Sequence, residues 1–161
     1  RVTPGVSLDQ LEIWYKERFI EEQQAVRALP HAEAFFKFCR SEGMQTFLLS
    51  TIHPDHYRVQ SKKVNFRFDR EYVGVMEKRL KIREIMEENK LTADETVFIG
   101  DMQHDVETAK EGGIFSCAVL TGYNTASQLA VAQPDRTVND LSELQRQWET
   151  HGAYLKGCCD E

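Results

Sequence analysis

Apolar positions along the chain follow two kinds of spacing, short continuous runs and helical repeats. The runs TFLLS, YVGV, TVFI and IFSCAVL, at 46–50, 72–75, 96–99 and 114–120, are typical of buried strands. Helical spacing and end signals predict the intervening helices: from Ser7 to about Val26, from Pro30 to Gly43, after Pro54, through Asn89, from 102 to Gly112, near Gln128 and from Leu141 to Trp148. This alternation predicts an α/β fold with a Rossmann-like parallel sheet and helices on both faces.

Polar side chains follow three of these predicted strands. They are a hydroxyl pair, a lysine and two carboxylates: Ser50 and Thr51, then Lys78 or Lys81, then Asp101 and Asp105. In open parallel sheets, ligands bind at the carboxyl ends of the strands. The sequence therefore predicts one site at this edge, assembled from side chains that are far apart along the chain.

Composition and net charge indicate which classes of protein this chain can belong to. The 161 residues are 41% apolar and carry a net charge of −6, which favours one globular domain and disfavours binding to nucleic-acid backbones or anionic membranes. No run reaches the roughly 18–20 apolar residues of a membrane helix, and the first ten residues lack a signal-peptide core. The four cysteines lack CxxC spacing, so we expect a cytoplasmic protein with reduced thiols. The role of Cys158 and Cys159 stays open, with a redox or metal pair as the less favoured interpretation.

Three segments carry a resemblance to a known family. VFIGDMQHDVETAKEGG, at 97–113, resembles motif IV of the haloacid-dehalogenase-like (HAD) phosphohydrolases, GDxxxD behind an apolar strand. Ser50 behind TFLLS is similar to their motif II, and Lys78 to their motif III lysine. The run at 29–50 resembles phosphoglycolate-phosphatase-type members. Receiver domains combine similar residues, but with the acids first and the lysine last, so the order here favours the HAD family.

The resemblance implies a Mg²⁺-dependent phosphomonoester hydrolase acting on a small phosphorylated metabolite, with phosphoglycolate as the default. Asp101 would bind Mg²⁺, and Asp105 would hold a metal-bound water or orient the lysine. Lys78 would screen charge between phosphate and nucleophile. The Ser50 hydroxyl and the Thr51 amide would donate hydrogen bonds to phosphoryl oxygens. Dehalogenase or phosphonatase chemistry remains an alternative within the family.

Histidines near the same edge have two interpretations. His53 and His104 are expected at the rim of the pocket, where they touch substrate. The alternative is a zinc site made by these two histidines with Asp55 and His56. Ordinary structural roles also remain open for the motif residues, because serine favours turns, lysine favours exposed helix surface and aspartate caps helices. The sequence leaves the oligomeric state open.

The family's nucleophile motif, DxDx[TV], is absent, since no two aspartates of the chain are two residues apart. In the family this motif ends a central strand between the strands of motifs II and IV. We therefore expect that strand and its nucleophile outside the chain, with the fragment alone inactive. The expected organisation is a remnant of a helical cap at 1–29, the HAD-like catalytic core at 30–150 and a tail at 151–161. The alternative is a non-catalytic HAD-like domain that binds a ligand or partner.

Overall fold

The computed structural model describes residues 5, 7–11, 13–14, 18 and 26–151. In chain order its helices and strands are α1 (Ala32–Ser41), β1 (Phe47–Leu49), α2 (Pro54–Gln60), β2 (Arg70–Tyr72), α3 (Lys78–Glu88), β3 (Val97–Gly100), α4 (Gln103–Gly112), β4 (Phe115–Val119), α5 (Ala126–Val131), β5 (Arg136–Val138) and α6 (Leu141–His151). Short 3₁₀ helices occupy Ser61–Lys63 and Ala93–Glu95. No helix in the described ranges has the length and apolar character needed to cross a membrane.

All strand pairs are parallel, and they form two sheets. β1 pairs with β2, while the larger sheet has the order β3–β4–β5. Within the described residues, β1 and β3 each have one neighbouring strand, so each leaves one edge of backbone donors and acceptors unpaired. These are the strands that precede Ser50 and Asp101. The α/β class with helices and parallel strands is confirmed.

Helices cover both faces of the strands. On one face, Phe35 and Phe38 of α1 pack with Cys117, Val138 and Leu144 in the largest buried cluster. On the other face, a second cluster joins α3, α4 and the start of β4 through Ile82, Ala109 and Ile114. Leu49 of β1 and Phe98 of β3 both pack against this second cluster. β1 and β3, which belong to different sheets, therefore pack against the same apolar cluster on α3 and α4.

Several predicted boundaries are confirmed, and the chemistry of the helix ends explains them. α1 is followed by Gly43 at φ 70 and α4 by Gly113 at φ 65, a left-handed conformation that glycine adopts at little cost. α2 has Pro54 in its first turn, and the Nδ1 atom of His53 accepts a hydrogen bond from the Asp55 amide. Thr125 and Gln128 form a capping box that begins α5.

Two predictions about the strands were wrong. The run at 72–75 is not a strand, because β2 ends at Tyr72 and Gly74 turns the chain at φ 71. β2 is an exposed edge strand of Arg70–Tyr72, so it lacks the apolar signature of a buried strand. β5 was not predicted from the sequence, since only Val138 of its three residues is buried. Short strands with one buried side chain give no periodic signal.

The predicted first helix lies mostly outside the described residues, including Tyr15 and Phe19. Residues 8–11 are helical, and Ser7 caps them by accepting a hydrogen bond from the Gln10 amide at 3.2 Å. Residues 26–29 have no regular structure, and residues 19–25 lie outside the described residues, so the predicted end near Val26 stays a prediction. Leu8, at the start of this segment, is 83% exposed.

In each of two parallel strand pairs, a hydroxyl residue at the amino end of one strand bonds an aspartate that precedes the other strand. Thr46 donates its amide and hydroxyl to Asp69 Oδ2, at 2.7 and 2.9 Å. Ser116 makes the same two bonds to Asp135 Oδ2, at 2.7 and 2.6 Å. Burial raises the pKa of Asp135, but the hydrogen bonds from Ser116 outweigh it and hold that pKa below its ordinary value.

We predict that Ser116→Ala destabilises the protein by about 1–2 kcal/mol at pH 7, because Asp135 loses one of its donors. A carboxyl with a lowered folded-state pKa stabilises the fold above its unfolded pKa, which is about 4, and this contribution disappears as the pH falls through the folded-state pKa. The difference between wild type and variant should therefore shrink below about pH 4. Urea denaturation of the full-length protein across this range measures it, and a difference that does not change with pH contradicts the assignment.

Candidate active site

The turn from β3 into α4 is held by the carboxylate of Asp105. Its Oδ2 atom accepts hydrogen bonds from the amides of Asp101 and Met102, at 3.2 and 3.1 Å. Helix amino ends leave such amides without intrahelical partners, and the apolar side chain of Met102 cannot supply the oxygen. Asp105, in the first turn of α4, therefore folds back to cap its own helix, and only 5% of the residue is exposed.

Gly100 is required for this arrangement because of space and not because of its backbone conformation. A Cβ atom added at Gly100 would lie 2.3 Å from the Cβ of Asp105 and 2.5 Å from its Oδ2 atom. Any larger residue would push Asp105 away from the turn. The glycine and second aspartate of the GDxxxD pattern thus form one packed unit.

Lys78, the first residue of α3, completes the pairing of Asp105. Its Nζ atom donates to Asp105 Oδ1 at 2.8 Å, and the two side chains are only 16% and 6% exposed. Lys81 points elsewhere, since it pairs with Glu84 at 2.5 Å and its Nζ atom lies 5.8 Å from the centre of the Tyr72 ring. Of the two candidate lysines, the structure brings Lys78 to the acids.

Further ion pairs continue along α3 and α4 on the exposed side. Arg79 pairs with Glu107 at 3.4 Å, and Arg83 pairs with Glu111 at 2.6 Å. The cations all come from α3 and the anions from α4, so each pair favours the same register between the helices. Exposed pairs contribute little individually, and the effect here is to keep α3 aligned where Lys78 meets Asp105.

Asp101 is held by the loop that follows β4. The Tyr123 amide donates to Asp101 Oδ2 at 2.5 Å, and the Asn124 amide donates to the Asp101 carbonyl at 3.1 Å. Gly122 makes room, because a Cβ atom there would lie 2.0 Å from Asp101 Oδ2. No role was predicted for these residues from the sequence. The signal was present in the run TGYN directly after a buried strand, at the edge where the other site residues gather.

Ser50 lies at the end of β1 in a turn that its own hydroxyl organises. Its Oγ atom accepts a hydrogen bond from the Ile52 amide at 3.1 Å, while Thr51 beside it is exposed. The Ser50 carbonyl accepts from the amide of Val75 at 3.0 Å, only three residues before Lys78. The turn after β1 is thus bonded directly to the segment that leads into the lysine.

The two histidines predicted at the rim are exposed. The His53 side chain is 63% exposed at the start of α2, and the His104 side chain is 68% exposed on α4, with Nδ1 3.3 Å from Glu107. The rings of His53 and His56 lie 5.3 Å apart. In the described part of the chain, no three His, Cys, Asp or Glu side chains gather closely enough to hold a metal ion. The zinc alternative therefore has no support in the described geometry.

The donor set suits a hard divalent cation bound through Asp101. Both oxygens of Asp105 are occupied, one by Lys78 and one by backbone amides. Asp101 uses Oδ2 for the Tyr123 amide, whereas its Oδ1 atom has no hydrogen-bond partner among the described residues. Mg²⁺ is bound in proteins by one or two carboxylates with waters and substrate oxygens. One available carboxylate oxygen, on the turn where Asp105 pairs with Lys78, fits that chemistry.

The two cysteines in the described residues are packing residues. Burial raises the pKa of Cys117 to about 12 and that of Cys39 to about 11. Both lie in the main apolar cluster behind the sheet. A thiol that stays protonated in an apolar cluster is a poor nucleophile. Cys158 and Cys159 lie outside the described residues.

Comparison with known proteins identifies relatives of this arrangement. Residues 78–144 match a family model described as HAD-hydrolase-like. Phosphoglycolate phosphatase of Vibrio cholerae is 32% identical over 60 residues, a stretch that covers 37% of this chain and 26% of that enzyme. A 5′-nucleotidase of Pseudomonas aeruginosa is 27% identical over 96 residues, covering 54% of this chain and 43% of that enzyme. The chain thus spans less than half the length of either relative.

Solved structures extend the likeness of the fold over most of the chain. A haloacid-dehalogenase-like hydrolase of Streptococcus pneumoniae superposes with a TM-score of 0.73 at 20% identity. The superposition covers 89% of this chain and 72% of the other. At this identity the similarity establishes the fold alone. The range matched by the family model, 78–144, includes Lys78 and Asp101.

We predict that Lys78→Met destabilises the protein by about 3 kcal/mol, because it leaves the buried Asp105 carboxylate without its cation. Lys81→Met is the matched control and should change stability little, since its ion pair with Glu84 is exposed. Urea denaturation of both variants of the full-length protein measures the difference. Equal losses in the two variants would show that the Lys78 pair has no special role.

Proposed function

We propose that this chain forms most of the core of a Mg²⁺-dependent phosphomonoester hydrolase of the haloacid-dehalogenase-like family, whose model matches residues 78–144. Its substrate is a small phosphorylated metabolite. The observation that carries the proposal is the buried pair of Lys78 and Asp105 at 2.8 Å, bonded through the β3–α4 turn to Asp101. The lysine ammonium can contact a phosphoryl group, and the available carboxylate of Asp101 can bind a divalent cation.

Asp101 is the residue that would hold Mg²⁺, through the Oδ1 atom that its other contacts leave available. A bound Mg²⁺ neutralises charge on the transferring phosphoryl group and helps to orient it. Asp105 is assigned to holding Lys78 rather than to direct metal binding, because both of its oxygens are already paired. Of the two roles that the sequence left open for Asp105, orienting the lysine is the one that its contacts favour.

Lys78 supplies the positive charge that approaches the phosphoryl oxygens from the side of α3. Its ammonium group carries three donors, of which one is used by Asp105. Two donors therefore remain for the substrate and the nucleophile. The low exposure of the pair strengthens these contacts, since water screens them poorly.

Ser50 and Thr51 supply neutral donors on the opposite side of the phosphoryl group. The Oγ atom of Ser50 accepts from the Ile52 amide, so the hydroxyl hydrogen is directed away from that bond. It can donate to a phosphoryl oxygen, and the Thr51 amide provides a second donor. His53 is exposed after the same turn, and His104 is exposed on α4. We assign these two histidines to the substrate-facing rim.

The nucleophile is assigned to an additional strand that pairs between β1 and β3. Within the described residues both strands have one unpaired edge, and their Leu49 and Phe98 side chains share one apolar cluster. As in the family that the sequence resembles, an aspartate on that strand attacks phosphorus and the substrate alcohol leaves. Water then hydrolyses the aspartyl-phosphate and regenerates the carboxylate.

We predict that the full-length protein hydrolyses p-nitrophenyl phosphate only when Mg²⁺ is present. Asp101→Asn should abolish turnover, because it removes the charged metal ligand, and Lys78→Ala should lower kcat by about 10²–10³-fold. Release of p-nitrophenol with and without chelator measures both effects. Asp94→Asn is the matched control, since Asp94 is exposed at the other end of β3, and it should leave turnover unchanged.

The proposal fails if the full-length protein does not hydrolyse any member of a broad phosphate-ester panel. It also fails if Asp101→Asn retains wild-type turnover. A non-catalytic HAD-like domain is then the better description, and the absence of a DxDx[TV] sequence from the full-length protein would agree with it.

We further predict that phosphoglycolate is hydrolysed with a higher kcat/KM than 5′-AMP. The expectation rests on the relatives, because both phosphoglycolate phosphatases and a 5′-nucleotidase match the chain. Phosphate release from each substrate at matched Mg²⁺ concentration decides the question. A preference for 5′-AMP would assign the protein to the nucleotidase type and would leave the phosphatase mechanism intact.

A further inference from the structure

Asp101 is fixed at both its backbone and its side chain by one short loop. The Tyr123 amide donates to the carboxylate, and the next amide, that of Asn124, donates to the carbonyl of the same residue. Two successive amides that reach one residue restrain both its position and the rotation of its carboxylate. This contact needs Gly122, where a Cβ atom would lie 2.0–2.2 Å from three atoms of Asp101.

Asn124 also holds the loop against the start of α4. Its Oδ1 atom accepts a hydrogen bond from the Gln103 amide at 2.9 Å. This amide has no partner within the helix, because it lies in the first turn, and the Met102 side chain cannot cap it. Asn124 therefore caps α4 from a different loop. Its backbone amide bonds Asp101 at the start of the β3–α4 turn, and its side chain bonds Gln103 at the end of that turn.

The orientation of Asp101 follows from these bonds. With Oδ2 engaged by the Tyr123 amide, Oδ1 is the oxygen directed to a ligand. A carboxylate that binds Mg²⁺ through one oxygen suits its strict octahedral geometry. Partners that bond the remaining atoms of a metal ligand commonly set its orientation, and their loss costs about 10–100-fold in metal affinity.

We propose that Asn124 is a positioning residue that holds Asp101 in the orientation in which it binds a divalent cation. The proposal rests on the proposed function, since it requires that Asp101 is the metal ligand. It assigns Asn124 no contact with the substrate. Its expected signature is weaker Mg²⁺ binding with an unchanged KM for p-nitrophenyl phosphate.

The test uses the full-length protein and Mg²⁺ itself as the probe, titrated by isothermal calorimetry. We expect Asn124→Ala to raise the Kd for Mg²⁺ by about 10–100-fold and to raise the Mg²⁺ concentration for half-maximal turnover in parallel. Asn124→Asp retains the acceptor for the Gln103 amide and should recover most of the affinity. Circular dichroism melting without Mg²⁺ verifies that each variant is folded.

A second pair of variants isolates the hydrogen bond without changing Asn124. Gln103 is the first residue of α4, where proline is tolerated, and Met102 before it is extended at φ −124 and ψ 152, as a residue before proline should be. Gln103→Pro removes the amide donor and should weaken Mg²⁺ binding as Asn124→Ala does. Gln103→Ala keeps the amide and, like Gln103→Pro, loses the exposed side-chain hydrogen bond to the Gln128 carbonyl at 2.7 Å, so it should bind Mg²⁺ like the wild type and the difference between the two variants reports on the amide. This pair decides the question if Asn124→Ala fails to fold.

Asn139→Ala is the control for the general loss of an asparagine after a strand. Asn139 follows β5, is exposed, and its side chain bonds only Glu143 among the described residues. It should leave Mg²⁺ affinity unchanged. A loss in this control equal to that in Asn124→Ala overturns the proposal, because the effect would then be general.

The remaining outcomes separate this proposal from the proposed function. If the wild type binds Mg²⁺ and hydrolyses the ester while Asn124→Ala binds Mg²⁺ within twofold of it, the positioning role is wrong and the function stands. The same conclusion follows if Gln103→Ala loses as much affinity as Gln103→Pro, or if Asn124→Asp recovers none. If the wild type does not bind Mg²⁺, both proposals fail together.

Discussion

The burial of the Asp105 carboxylate is the constraint on which the rest of the site depends. An ionised carboxylate with 5% exposure is tolerated only when it is paired and hydrogen-bonded. Asp105 meets this need with the Lys78 ammonium on one oxygen and two turn amides on the other. The same contacts therefore place the lysine, shape the turn and fix where Asp101 leaves β3.

Other features of the chain follow from this requirement. Gly100 must lack a side chain because Asp105 lies where its Cβ atom would be. α3 must begin at Lys78 so that its ammonium reaches the carboxylate, and the pairs Arg79–Glu107 and Arg83–Glu111 continue the same alignment. Ile82, one turn further along α3, is buried against α4. Apolar packing thus supports the helices, while the buried ion pair specifies their register.

Local chemistry decided which parts could be predicted from sequence. The β3 and β4 strands are continuous apolar runs and α4 ends at a glycine pair, so their limits were predicted within about two residues. β2 and β5 were misplaced or missed because each is three residues long and mostly uncovered. Ser50 and Asp101 could be proposed because each follows an apolar strand, whereas Lys78 could be proposed only from its place between them in the motif order.

The loop that holds Asp101 could not be predicted in the same way. Tyr123 and Asn124 act on Asp101 through backbone amides, and amides carry no residue identity. Gly122 is needed for space that only a neighbouring chain segment defines, so the run TGYN marks a loop at this edge but does not identify Asp101 as its partner. Long-range contacts of this kind appear only when the β3 and β4 ends are placed side by side.

Charge balance explains why such a site needs exact placement of its carboxylates. Two carboxylates and one ammonium give the cluster a net charge of −1, within a chain whose net charge is −6. A phosphate monoester is itself an anion, so the protein's own charges do not attract it strongly. A divalent cation bound at Asp101 would turn the cluster net positive, and only then would Lys78 and the Ser50 turn act together on the phosphoryl group. Lys78 already pairs with Asp105, so of these two carboxylates Asp101 is the one with an oxygen available for a cation. Under the proposed function, the orientation of that oxygen would then influence how well an anionic substrate binds.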